Sequence, residues 1–146
     1  MPAAALLCLV VAITDGDTLK VRCGEPGSYE RITVRISAID APEKAQPFGQ
    51  VSRQHLAELC FQQQATITPR AKDRYGRAVA DVECRGQDVG STQVRAGMAW
   101  VYERYARGYR HLQGLQAEAR AAERGLWDQP SVAPWEWRRA QPTSPQ

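Results

Sequence analysis

The tripeptide Asp15-Gly16-Asp17, set between the apolar runs 10–13 and 18–21, does most to restrict what this chain can fold into. Asp-Gly between two apolar runs is a strong short-range signal for a two-stranded hairpin. Cys8 and Cys23 stand almost symmetrically on either side of Gly16. Antiparallel pairing would lay them opposite one another, the proximity that a disulfide requires. Cys60 and Cys84 then pair by elimination. None of the four cysteines belongs to a C-x-x-C pair, so a zinc site has little support. Four reduced, buried thiols are the alternative. The even count and the hairpin symmetry favour two disulfides, and with them an oxidising compartment, secreted or periplasmic.

The apolar run 6–13 could also be read as the remnant of a signal-peptide core, or Cys8 as a crude lipoprotein site. No basic residue precedes the run, and Val10, Val11 and Ile13 are β-branched, which favours a buried first strand. The expectation is that a signal peptide in the native gene precedes this sequence. No apolar run reaches the length of a membrane span.

Beyond a Pro26-Gly27 turn, Ile32, Val34 and Ile36 alternate with Thr33, Arg35 and Ser37, the period-2 pattern of a half-buried third strand. It ends at Pro42, which lacks an N–H and biases Ala41 away from helix. Residues 51–62 read as a helix with Leu56, Leu59 and Cys60 on one face. Residues 65–69 and 79–84 read as two more strands. Val89, Val94 and Met98 suggest a second helix with Gly97 near its end. Leu112, Leu115, Ala119 and Ala122 suggest a third, stopped by Gly125, with Leu126 and Trp127 packing back on it.

The sequence therefore divides into a domain over 1–127 and a Pro-rich, extended tail over 128–146, with Trp135 and Trp137 pinning the tail to the domain. Five short strands with an inserted helix, about three helices in all, fit an α+β or mainly β fold: a partly open Greek-key barrel of the OB type. A generic α+β domain fits the same order of elements.

The 146 residues make one ordinary domain, and a net charge of +3 permits a polyanionic partner without demanding one. Asp17 follows the hairpin turn; Asp40 and Glu43 follow the third strand. A hard cation such as calcium takes oxygen donors, here the Asp17 and Asp40 carboxylates and the Ala41 carbonyl if the strand ends meet. Arg35 lies in the third strand, just ahead of Asp40, and Arg77 in the loop Lys72-Asp73-Arg74-Tyr75-Gly76-Arg77. Guanidinium forks match phosphate oxygens, so a metal with two arginines suits a phosphorane whose equatorial oxygens gain charge during attack. His55 and His111 fall on expected helix surfaces, which gives a histidine-dependent nuclease or a Ser-His-Asp triad little support.

Three segments together carry a resemblance: 14–18 (TDGDT), 35–43 (RISAIDAPE) and 73–77 (DRYGR). In order and context they resemble the signature segments of the staphylococcal nuclease-like family, and the likeness runs from about Val10 to Trp127. The resemblance implies an OB-type barrel that hydrolyses DNA or RNA with Ca²⁺ and leaves 3′-phosphate ends. Asp17, Asp40 and the Ala41 carbonyl would be the metal ligands. Arg35 and Arg77 would grip the scissile phosphate, and Glu43 would hold or deprotonate the attacking water. Tyr75 matches a tyrosine lining the nucleotide pocket, and Tyr105 matches another. Arg74 would add to the grip on substrate. Two departures stand out: Ala41 replaces a threonine, and Glu103 stands where a further aromatic is expected.

A non-catalytic nucleic-acid-binding module on the same barrel is the alternative. Three clustered carboxylates repel phosphate unless a metal intervenes, so the retained acids favour an enzyme. A carbohydrate-binding barrel is disfavoured by the two arginines. The expected substrate is single-stranded nucleic acid, bound by a monomer with no membrane or protein partner.

Overall fold

The computed structural model describes residues 4–141. The Asp-Gly signal opens a long hairpin, with β1 (Leu6–Asp15) and β2 (Thr18–Cys23) joined through Gly16 and Asp17. Cys8 and Cys23 are direct cross-strand partners in its register. Their disulfide spans a Cα–Cα distance of 4.4 Å. Register shifts between Val10 and Ala12 and between Ile13 and Asp15 break the ladder toward the turn. Such irregularities bend a strand and re-aim its side chains, here Asp15.

β3 (Glu30–Ile36) follows, then the two-residue β4 (Ile39–Asp40), helix α1 (Gly49–Cys60), β5 (Gln64–Lys72), β6 (Ala78–Cys84) and β7 (Gln87–Asp88). The strands hydrogen-bond in the order β3-β2-β1-β5-β6-β7, and β3 also pairs with β6. That last pairing is parallel, while β1 with β2, β1 with β5, β2 with β3 and β5 with β6 are antiparallel. Five strands therefore close on themselves, which removes their open edges and gives the OB-type barrel. Its interior is filled by Val10, Leu19, Val21, Val34, Ile67, Ala80 and Val82, all essentially inaccessible.

Helix α1 lays Ser52, Leu56 and Cys60 inward, one turn apart. The Cys60–Cys84 disulfide fastens its last residue to β6. Both pairings expected from the sequence are present. α2 (Val89–Arg95) is capped by Asp88, whose carboxylate accepts from the Ser91 N–H at 3.0 Å. β8 (Trp100–Val101) pairs with β4, setting Trp100 opposite Asp40. α3 (Arg110–Ala121) buries Leu112, Gln116 and Ala119, and Gln116 accepts the Val101 N–H at 2.7 Å.

The helices end earlier than the periodicity suggests. α2 stops before Gly97, and α3 before a 3₁₀ turn over Gly125–Asp128. Leu126 and Trp127 do pack back: Leu126 is buried, and Trp127 meets Trp100 edge to face at 4.5 Å.

One expectation is overturned. The tail is not extended throughout, because Pro134–Ala140 forms a further helix, α4, with Pro134 at its start. Proline is accommodated there because the first helical N–H groups have no intrahelical partner. Trp135 packs on Trp100 and Tyr102 at 5.6 and 5.3 Å, so it pins the tail as expected. The remainder of the expected tail, 142–146, lies outside the described residues.

Candidate active site

The turn after β1, the end of β3, β4 and the loop before α1 converge at one end of the barrel. Two glycines set how closely. A Cβ on Gly16 would fall 1.8 Å from the Ser52 hydroxyl of α1 and 3.0 Å from the Ala41 Cβ. A Cβ on Gly49 would fall 1.8 Å from the Glu43 carbonyl oxygen. Only glycine lets the hairpin turn, α1 and the Glu43 loop touch in this way.

Asp17 and Asp40 are buried, and Arg35 bridges them. Its guanidinium reaches Asp17 at 3.1 Å and Asp40 at 3.4 Å, and donates to the Ile39 carbonyl at 3.2 Å. Asp17 also accepts the Ala41 N–H at 2.7 Å and the Thr18 hydroxyl at 2.7 Å. Arg35 is opposite Thr18 on β2 and Val79 on β6, so barrel closure itself aims it at the acids.

A second guanidinium comes from a place the sequence reading did not identify as part of the site. Arg138 of α4 lies 2.7 and 3.3 Å from the two Asp40 oxygens and 2.9 Å from Glu43. Gln46 ties the same parts together, accepting the Glu43 N–H at 3.2 Å and donating to the Val132 carbonyl at 2.8 Å. Asp17, Asp40 and Glu43 thus share one chain of ion pairs.

Asp15 belongs with them. Burial pushes its carboxyl above the usual range, and the charges of Asp17 and Glu43 push it further, against a smaller pull from Lys44. Asp40 is likewise raised, by burial first and by Asp17, although Arg138 and Arg35 draw it down. The centre holds more negative charge than it neutralises.

Arg77 stands apart. Its guanidinium pairs with Asp73 at 2.7 Å, and Asp73 also accepts the backbone N–H groups of Tyr75 and Arg77. Tyr75 is 70% exposed, between Arg74 at 5.1 Å and Arg77 at 5.6 Å from its ring centroid. Tyr105, 61% exposed, stacks on Tyr102 at 5.1 Å, and Tyr102 in turn meets Trp135. Tyr102 was not singled out in the sequence; its N–H bond to Ala38 sets it beside β4. Both histidines lie on helices: His111 is exposed, and half-buried His55 bonds Gln93. A concavity of about 440 Å³ on α1, lined by Gln50, Gln54, His55, Glu58 and Met98 among others, shares no residue with the acids.

Among the described residues, no three His, Cys, Asp or Glu side chains converge into a metal cage. The donor chemistry nonetheless suits a hard cation. Two carboxylates and a neighbouring carbonyl offer oxygens, and cationic guanidinium groups already rest on the carboxylates. With arginines alongside, the arrangement has the chemistry to take up a cation and an anionic ester.

Comparison with known proteins supplies the context. Residues 33–129 match the family described as Staphylococcal nuclease homologue. An uncharacterized endonuclease of Haemophilus influenzae is 42% identical, over 90% of this chain and 72% of its own. A micrococcal nuclease of Shigella flexneri is 38% identical, over 90% of this chain and 79% of its own. An uncharacterized endonuclease of Escherichia coli O157:H7 is 42% identical, over 88% and 82% respectively.

Proposed function

The chain belongs to the staphylococcal nuclease homologue family and is a phosphodiester-hydrolysing nuclease; from that premise we propose that it works with calcium on single-stranded DNA or RNA and leaves 3′-phosphate ends. The observation that carries this reading is the linkage of Asp17, Asp40 and Glu43 through two guanidinium groups at one end of the barrel.

Asp17, Asp40 and the Ala41 carbonyl would hold the ion. When bound, it supplies positive charge that draws in the phosphate and polarises it. Glu43 holds the attacking water and takes its proton. Water oxygen bonds to phosphorus as the P–O5′ bond breaks, and the departing 5′-oxygen takes a proton from solvent. Arg35, already fixed, stabilises the charge that develops on the equatorial oxygens. Arg77 joins it by turning from Asp73. Tyr75 and Tyr105, with Arg74, would receive the base and the flanking backbone. Exposed rings take up an unpaired base more easily than a paired one, whose opening costs a few kcal/mol. The disulfides favour an oxidising compartment, so we place the protein outside the cytoplasm, as a monomer.

The test is digestion of a single-stranded oligonucleotide and of RNA, with calcium, with magnesium and with chelator, followed by analysis of the ends. Calcium-dependent cleavage to 3′-phosphates is expected, with Glu43→Gln slowed by about 10²-fold or more. Full activity in excess chelator, or 5′-phosphate ends, would overturn the calcium and bond-scission assignments.

A further inference from the structure

α4 brings a third arginine to the acid centre, from beyond the residues that match the family. We propose that Arg138 is a substrate-binding residue of this site: held on Asp40 and Glu43 as the structure places it, it passes to a phosphate of the nucleic acid once a metal ion competes for those oxygens. The proposal rests on the nuclease reading above.

Asp40 is wholly buried and both its oxygens face guanidinium groups: Arg138 spans the two, and Arg35 shares Oδ1 with it. An incoming cation on Asp40 must therefore loosen one of them. Arg35 is further held by Asp17 and by the Ile39 carbonyl, and its side chain is only 20% exposed. Arg138 bonds only these two acids among the described residues, and its side chain is 39% exposed. Arg138 is the one that yields.

Charge gives it a destination. Asp15, Asp17, Asp40 and Glu43 carry four negative charges, against which Arg35, Arg138 and the nearby Lys44 set three. A divalent cation leaves the group with a single positive charge, suited to the single negative charge of a phosphodiester. Without Arg138 the loaded centre is only neutral and loses that attraction. A guanidinium fork that already spans a carboxylate edge has the shape to span two phosphate oxygens.

The helix does not depend on Arg138 for its place. Pro134 is buried, Trp135 packs on Trp100 and Tyr102, and Gln46 bonds the Val132 carbonyl. The side chain can change partner while α4 stays docked.

The experiment compares the full chain with Arg138→Ala and Arg138→Lys. Calcium affinity is measured by calorimetry without nucleic acid, and KM and kcat on a single-stranded oligonucleotide across a salt series. Melting temperature serves as the folding control, with Arg138→Lys keeping the test usable if the alanine variant unfolds. Arg138→Ala should bind calcium about tenfold more tightly, because a charged hydrogen-bond competitor is gone. Its KM should rise about tenfold with a smaller change in kcat. The dependence of log KM on log salt should become shallower by about 0.7, the share of one phosphate contact on a single strand. Arg138→Lys should keep the wild-type slope and recover KM only in part. An unchanged salt slope in Arg138→Ala would overturn the proposal. Weaker calcium binding with that slope unchanged would make Arg138 a scaffold, and faster turnover would make it a plug. A wild-type chain that does not cleave would instead overturn the nuclease reading, on which the calcium titration does not depend.

Discussion

Four aspartates at two places on the barrel are treated in opposite ways by the fold. At the acid centre, Asp15 and Asp40 are raised: burial penalises their charge, and neighbouring carboxylates add to the penalty. On the flank, Asp73 and Asp81 are lowered. Burial opposes this, but Arg77 and Tyr75 N–H groups outweigh it at Asp73, and Tyr109 and Arg70 outweigh it at Asp81. The flanking acids are spent on holding loop and strands in place. The central acids are crowded together instead: Asp40 stays raised although two guanidinium groups rest on it, at a cost to the isolated fold that a cation would relieve. Crowded carboxylates with raised pKa values mark a candidate binding centre, while carboxylates held low by their partners mark architecture.

The sharpest way to break this contrast is to remove the two arginines separately. Arg35→Ala leaves Asp17 and Asp40 buried without their bridge, so turnover should fall by about 10²–10³-fold. Stability should fall with it, by about 3–5 kcal/mol, the usual consequence of stranding buried charge. Arg77→Ala should reduce turnover by about 10²-fold. Because the Arg77–Asp73 pair is part-exposed, its stability cost should stay within about 1 kcal/mol. Steady-state rates beside denaturant melts separate the two effects. Equal stability losses would mean the centre and the loop are not different in kind.

A smaller effect should come from Asp15→Asn. Removing one of the mutually repelling acids relieves the centre, so the variant should melt above wild type in chelator. Added calcium should erase that advantage, because the wild-type charge then gains a partner. Paired thermal melts with and without the ion check this. A variant that melts lower in chelator would contradict the picture of an overcharged centre.

The hairpin, the Cys8–Cys23 disulfide and the third strand were legible because each rests on local pattern: a turn dipeptide, its symmetry, a period of two; Cys60–Cys84 followed by elimination, and Asp17, Arg35, Asp40, Ala41 and Glu43 stood out through the three segments that resemble the family. Arg138 was not. Four prolines after Asp128 make the segment read as extended, although Pro134 occupies a helix-start position where proline fits. The one available hint was the spacing of Trp135 and Arg138, one turn apart on a short helix. Its contact with Asp40 joins residues 98 apart in sequence, and only the closed fold brings them together. Asp15 was passed over for a related reason. It reads as a turn residue, and its closeness to Asp17 and Glu43 comes from the folded loops, not from the sequence pattern.

The smallest predicted effect concerns pH and the flank. Asp81 lies between Arg70 at 2.7 Å and the Tyr109 hydroxyl at 2.6 Å, joining β5, β6 and the segment leading into α3. Its folded-state pKa is below the unfolded value near 4. The contribution is therefore complete at neutral pH and is lost as pH falls below about 4, through the folded pKa. Asp81→Asn should cost about 1 kcal/mol at neutral pH, the net worth of such a bond, and the gap from wild type should close in acid. Asp15 and Asp40 run the other way: with folded pKa values above the unfolded ones, their penalty is largest at neutral pH and is relieved as they protonate. Denaturant midpoints for wild type, Asp81→Asn and Asp15→Asn between pH 3 and pH 7 would draw both trends in one experiment. The advantage of Asp15→Asn and the deficit of Asp81→Asn should both shrink toward acid, from opposite sides of wild type. Parallel lines with no pH dependence would mean that neither carboxylate titrates differently in the folded chain, and the contrast between centre and flank would lose its electrostatic basis.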